Sequence, residues 1–238
     1  MEYGVDDARQ TGRGTALADI LYDGRLGIII GNWNGYHRAY VPARHSFLDY
    51  ATKAFREPSL VRTVISADFD NDGFDEIFFN NIGQPNRMFR VRDGGVLEPV
   101  ALSAALEADG LGTGAAVADI DGDGVLDLLV AHGESAPQPL SLFRAAIDGP
   151  GRYLRIAPLT GQGAPARGAT VILETDMRVH AKTIDAGSGY LCQMEPVAHY
   201  GLRDGETVKS VKVRWTDGTE TGLGEMAENK THIIRKDG

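Results

Sequence analysis

The stretch from Asp119 to Asp127 reads Asp-Ile-Asp-Gly-Asp-Gly-Val-Leu-Asp, placing carboxylates at positions 1, 3, 5 and 9 and glycine at position 6. Four hard oxygen donors drawn together by a sharp turn suit Ca2+, which takes about 6–8 oxygens and tolerates irregular geometry. Mg2+ is less suited, because it keeps a near-octahedral shell and gives up water reluctantly. The expected ligands are Asp119, Asp121, Asp123, Asp127 and the Val125 carbonyl at position 7, with water completing the shell. A second loop, Asp68-Phe69-Asp70-Asn71-Asp72-Gly73-Phe74-Asp75-Glu76, repeats the pattern with Glu76 at position 9 and Asp75 beside it. Its expected ligands are Asp68, Asp70, Asp72, the Phe74 carbonyl and Glu76, which makes two Ca2+ sites in all. An earlier segment, Asp19 to Gly27, has lost the acids at positions 3 and 9 and carries Arg25 at 7, so it is expected to be free of metal.

Asp-Gly clusters also arise as plain turn chemistry. Two loops with three or four aligned acids argue against that reading, since crowded carboxylates repel one another without a cation. An EF-hand needs flanking helices and a bidentate Glu at position 12. Position 12 here is Phe79 or Val130, and the flanking runs are β-rich.

The elements that hold these loops recur with them. Gly12 to Asp19 and Gly112 to Asp119 share two glycines, two alanines and the aspartate, with a third copy ending at Asp68, so the period is about 50 residues. Each loop leads into an apolar run, Ile28 to Ile30, Ile77 to Phe79 or Leu128 to Ala131, and then a Gly/Asn/Pro break. Short β-rich runs between turn signals read as strands, and units of three or four antiparallel strands fit this period as they do in β-propellers. A helical solenoid would need 10-residue amphipathic stretches that these runs lack. The pattern stops after Leu140 to Phe143, and Asp148-Gly149-Pro150-Gly151 marks a border. Beyond it, alternating stretches at Tyr153, Thr170 and Ser210 predict a small all-β second part. The expected organisation is therefore three blades over residues 1–147 and a β domain over 148–238. Met1 to Val5 reads like the tail of a preceding unit. Three blades are too few for the usual closed ring, so further N-terminal blades, the second part or another copy of the chain should cover their faces.

The chain has 33 acidic and 24 basic residues, a net charge of −9, which argues against nucleic acid and anionic membranes as partners. It shows neither an apolar run long enough to span a bilayer nor an export signal. Cys192 is the single cysteine, so no internal disulfide forms. A Cys192 nucleophile with His180 or His199 as base lacks an orienting third group. No two histidines stand three or four apart, which leaves zinc without support. Trp33, Tyr36, His37, Arg38 and Tyr40 gather after the first loop, and filling the space between blades is preferred to a ligand face for sugar or protein. Trp215 reads as core, and Asn229-Lys230-Thr231 is a glycosylation sequon.

The repeats with their Asp-x-Asp-x-Asp-Gly-x-x-Asp loops resemble FG-GAP (VCBS-type) repeats, the blades of integrin α-subunit propellers and of many secreted microbial proteins. The C-terminal part resembles the ASPIC/UnbV domain of the cartilage acidic protein family and its bacterial homologues, through Gly187-Ser188-Gly189-Tyr190-Leu191-Cys192-Gln193, His199-Tyr200-Gly201-Leu202 and Val211 to Gly218. Cys192, Tyr200 and Thr216 depart from that pattern, where Ser, Phe and Pro are usual. The resemblance implies an all-β fold of partial-propeller FG-GAP blades followed by a small β domain. It implies Ca2+ at positions 1, 3, 5, 7 and 9, and an extracellular or periplasmic setting. The expected function is an adhesion or matrix-type protein binding a protein or carbohydrate ligand, with a homo-oligomer as a further expectation. The alternative is an enzyme, or an enzyme's companion, acting on polysaccharide or in biosynthesis.

Overall fold

The computed structural model describes residues 3–185, 187 and 190–237. Met1, Glu2, Ser188 and Gly189, which carried parts of the readings above, lie outside the described residues. The described residues are almost entirely β and form five small sheets, with no closed barrel among them. The first is an antiparallel meander of β1 (Gly12–Ala18), β2 (Gly27–Asn32), β3 (Arg38–Pro42) and β4 (Phe47–Asp49). After the single-turn helix α1 (Lys53–Arg56) comes a second meander, β5 (Val61–Ala67), β6 (Glu76–Asn81), β7 (Arg87–Arg92) and β8 (Val96–Val100). The third has three strands, β9 (Gly112–Ala118), β10 (Asp127–His132) and β11 (Ser141–Phe143). Tyr3 accepts a hydrogen bond from Phe47 N–H, so the described N-terminal residues run along the outer edge of the first sheet.

These three sheets stack face on face, and the stacking explains their sequences. In β6 every residue is buried, because Ile77 and Phe79 face the first sheet while Phe78 faces the third. A strand covered on both sides reads as a continuous apolar run. In β2 burial alternates, since only Ile29 points into the stack and Ile28 and Ile30 face outward. The innermost strands β1, β5 and β9 approach closely through Ala16, Ala18, Ala67 and Ala115. Phe55 of α1 wedges against Phe79 and Phe89 at centroid separations of 5.0 and 4.8 Å, and Thr52 caps the helix.

The C-terminal residues form two sheets around a core of their own that includes Leu154, Tyr200 and Trp215. In one, β12 (Arg152–Leu159) lies between β15 (Ala198–Leu202), antiparallel, and β18 (Lys230–Arg235), parallel. In the other the order is β14 (Val179–Thr183), β13 (Thr170–Thr175), β16 (Val208–Arg214) and β17 (Glu220–Leu223).

Candidate metal centres

Each Asp/Gly loop joins the two innermost strands of its sheet, with position 9 opening the second: Gly27 in β2, Glu76 in β6 and Asp127 in β10. One backbone plan serves all three. Position 4 is left-handed at Tyr22, Asn71 and Gly122, and position 6 is left-handed at Gly24, Gly73 and Gly124. The position-6 N–H donates to Oδ2 of the position-1 aspartate in every loop: Gly24 to Asp19 at 2.8 Å, Gly73 to Asp68 at 3.0 Å and Gly124 to Asp119 at 3.1 Å. The position-7 N–H donates to the position-5 carboxylate at 3.1 Å from Arg25, and at 2.9 Å from both Phe74 and Val125.

Two further bonds are common to the second and third loops alone. Asp72 N–H donates to Asp70 Oδ1, and Asp123 N–H to Asp121 Oδ1, both at 3.3 Å. Phe69 N–H donates to Glu76 Oε2 at 3.1 Å, as Ile120 N–H does to Asp127 Oδ2 at 3.0 Å. Glu76 is thus the geometric equivalent of Asp127. Its neighbour Asp75 turns away and binds Lys182 Nζ at 2.7 Å, with His180 Nε2 at 3.6 Å. In the first loop, Leu21 occupies position 3, and the Asp23 N–H falls back on Asp19 Oδ1 at 3.2 Å. A Cβ on Gly27 would stand 2.4 Å from the Tyr40 carbonyl, so no acid fits at position 9 there.

Among the described residues, two groups of carboxylates bring oxygens within 4.8 Å of one another: Asp68, Asp70 and Glu76, and Asp119, Asp121 and Asp123. The remaining two expected acids are each paired with an arginine. Asp72 lies 3.3 Å from Arg90 Nη1 and Asp127 lies 3.2 Å from Arg144 Nε. Asp68 tests whether the donors fit a cation. It is 1% exposed, Oδ2 accepts from Gly73 and Gly201, and Oδ1 has no hydrogen-bond partner. A buried acceptor left unmatched costs about 1–3 kcal/mol, more when charged, and a bound cation removes that cost. Burial, followed by the nearby Asp75 charge, pushes the Asp68 carboxyl up to about 8. Burial, then Asp68 and Asp70, push Glu76 up to about 9. The residues therefore fit Ca2+ as an all-oxygen set whose charge needs a partner. The third loop is more open, with Asp121 and Asp123 exposed.

The C-terminal sheets dock on these same loops. Ala181 N–H of β14 donates to Asp19 Oδ2 at 3.0 Å, Gly201 N–H of β15 to Asp68 Oδ2 at 3.1 Å, and Arg155 Nη1 of β12 to Asp119 Oδ2 at 2.8 Å. The three position-6 glycines are pressed in the same way. An added Cβ would meet Val179 at Gly24, Arg203 at Gly73 and the Tyr153 ring at Gly124, at 2.8, 2.5 and 2.1 Å. Arg178, paired with Glu206, also donates to the Gly73 carbonyl, and the Arg203 guanidinium lies 3.8 Å from the Phe74 ring centroid. None of this was visible in the loop sequences, because every partner comes from the C-terminal region.

The remaining sequence candidates have other partners. The Cys192 thiol lies close to Gly114 and is pushed up by burial, His199 bonds Asn71 Oδ1 at 2.6 Å, and His180 faces Asp75. The aromatic group divides: His37 and Tyr40 are buried, Tyr36 is exposed, and Trp33 lies under the Arg62 guanidinium at 4.5 Å. Trp215 is core.

The pattern described as FG-GAP-like repeat matches residues 68–130, which takes in the second and third loops and leaves out the first. That described as ASPIC and UnbV matches residues 159–238. The chain belongs to the FG-GAP-repeat proteins that carry an ASPIC/UnbV domain. It is 48% identical to cartilage acidic protein 1 of Mus musculus over 97% of its length, and 52% identical to that of Homo sapiens over 90%. It is 50% identical to the Xenopus tropicalis protein, also over 90%. The chain spans 38%, 34% and 35% of the length of these three relatives. No helix among the described residues is long and apolar enough to cross a membrane.

Proposed function

We propose that this chain is a calcium-binding part of an extracellular matrix-type binding protein, with one Ca2+ in each of the second and third loops. In that reading Asp68, Asp70, Asp72, the Phe74 carbonyl and Glu76 hold one ion, and Asp119, Asp121, Asp123, the Val125 carbonyl and Asp127 hold the other. The unpartnered, buried Asp68 Oδ1 is the observation that carries it. The matched hydrogen-bond ladders of the two loops support extending it to the third. The extracellular setting rests on the relatives, which are named for cartilage. The ions lock the loop ends on which the C-terminal sheets sit, so calcium serves the architecture that presents a protein or carbohydrate ligand. Isothermal titration of the chelator-treated protein should find two Ca2+ equivalents. Saturation at 100 times Kd should stabilise the fold by about 2.7 kcal/mol per site. A titration without binding heat, together with a melting temperature indifferent to EDTA, would sink this reading.

A further inference from the structure

The two acid-rich loops share a partner that the first loop lacks. In the second sheet, Arg90 of β7 stands directly across from Glu76 in the strand register. In the third, Leu128 pairs with Phe143, and Arg144 is the next residue opposite Asp127. The two guanidiniums make the same contacts. Arg90 donates through Nε to Glu76 Oε1 at 2.6 Å and through Nη2 to Asp70, the acids at positions 9 and 3. Arg144 reaches Asp127 with Nε at 3.2 Å and Asp121 with Nη2, again positions 9 and 3. Where the first sheet has Gly27 at position 9, the strand opposite carries Val41. The arginine is therefore present where the acids are present and absent where they are absent.

A guanidinium on the acids at positions 3 and 9 claims oxygens that a cation in the loop would also claim. Its planar fork presents donors to two carboxylates in a fixed geometry, whereas an ammonium acts as a compact point charge. Both side chains line one cavity of about 240 Å3 between the second and third sheets, which Met88, Leu102, Leu128 and Phe143 also line. That space can receive the head groups when they leave the acids. Asp68 Oδ1, buried and unmatched, marks the part of the second loop that Arg90 does not serve.

We propose that Arg90 and Arg144 are built-in competitors for the cation: each neutralises its loop in the ion-free protein, is displaced from the acids when Ca2+ enters, and so sets the affinity of the site. This inference rests on the calcium reading above. The loops then keep their shape without metal, and binding is an exchange of one cation for another.

The test uses the full chain and its Arg90→Gln and Arg144→Gln variants, titrated with Ca2+ and melted in both EDTA and saturating calcium. Each variant should bind Ca2+ at its own loop at least tenfold more tightly than the parent chain. Each should also melt lower than the parent in EDTA and level with it in calcium. An arginine that merely braces its strand would lower the melting temperature equally in both conditions and weaken binding, and that result would overturn the inference. So would two equivalents bound with unchanged affinity in both variants. If neither the parent nor any variant binds Ca2+, the calcium reading itself fails, an outcome distinct from the other two.

Discussion

At the level of single residues, the spacing of the acids was legible in the sequence, but their division of labour was not. Positions 1, 3, 5 and 9 follow from the loop pattern, and Glu76 and Asp127 share a bond from the position-2 N–H. What separates Asp75 from Glu76 is a lysine and a histidine more than 100 residues away. Burial drives the Asp75 carboxyl up, but Lys182 and then His180 outweigh it and hold it well below the usual carboxylate range. Removing one side of such a buried pair leaves an uncompensated charge, so Asp75→Asn should destabilise the fold by about 3 kcal/mol. Its calcium stoichiometry should stay at that of the parent chain, and calorimetry showing a lost equivalent would make Asp75 a ligand after all. Asp121→Ala, at an exposed acid, should lose one equivalent with little change in stability in EDTA. Asp23→Ala should lose none, since Asp23 serves only the turn and Arg25.

Among the elements, the strands were readable because their periodicity records which faces are covered. Apolar runs at Ile28, Ile77 and Leu128 fall inside β2, β6 and β10 as expected. The elements that the sequence could not supply are the contacts between distant turns. His37 is one such contact: its Nδ1 accepts from Asn32 N–H at 3.0 Å and its Nε2 meets Ser59 Oγ at 3.0 Å, tying the end of β2 to the approach to β5. Burial, aided by the Arg87 charge, lowers His37 from 6.5 to about 4. The unfolded chain takes up this proton near 6.5 and the folded chain only near 4. The neutral ring's contribution is therefore complete above about 6.5 and is lost as the pH falls towards 4. A shift of this size corresponds to about 3 kcal/mol over the whole window. His180 and His199 are also lowered, chiefly by burial, and add to the same loss. Denaturant melts should show stability falling steadily between these limits, with a shallower slope in His37→Gln. An identical slope in the two proteins would mean that His37 is already charged in the fold.

The molecule as a whole is a stack of three sheets with its loop ends capped by the C-terminal pair. The C-terminal pair sits on the loop ends of the repeat sheets and not on their outer faces. Leu17 on the first sheet and Leu129 and Leu142 on the third remain exposed, with Leu129 opposite both Leu142 and Ala116 in register. At the loop ends the cover is extensive. Each position-1 aspartate takes a hydrogen bond from a different C-terminal strand, and each position-6 glycine lies against a side chain of that region. Residues 1–147 alone would keep the stack but lose these donors, along with the Lys182 partner of Asp75 and the Arg203 cover of Phe74. The freed Asp68 and Asp75 carboxylates would then face water across a loop surface that still carries Tyr22 and Phe74, while the outer leucines stay exposed. The expected outcome is that residues 1–147 expressed alone self-associate and lose cooperative melting, even in saturating calcium, while the full chain melts in one transition. Light scattering that finds the shorter piece a stable, cooperatively melting monomer would show that the docking contacts are dispensable and that the three sheets suffice for each other.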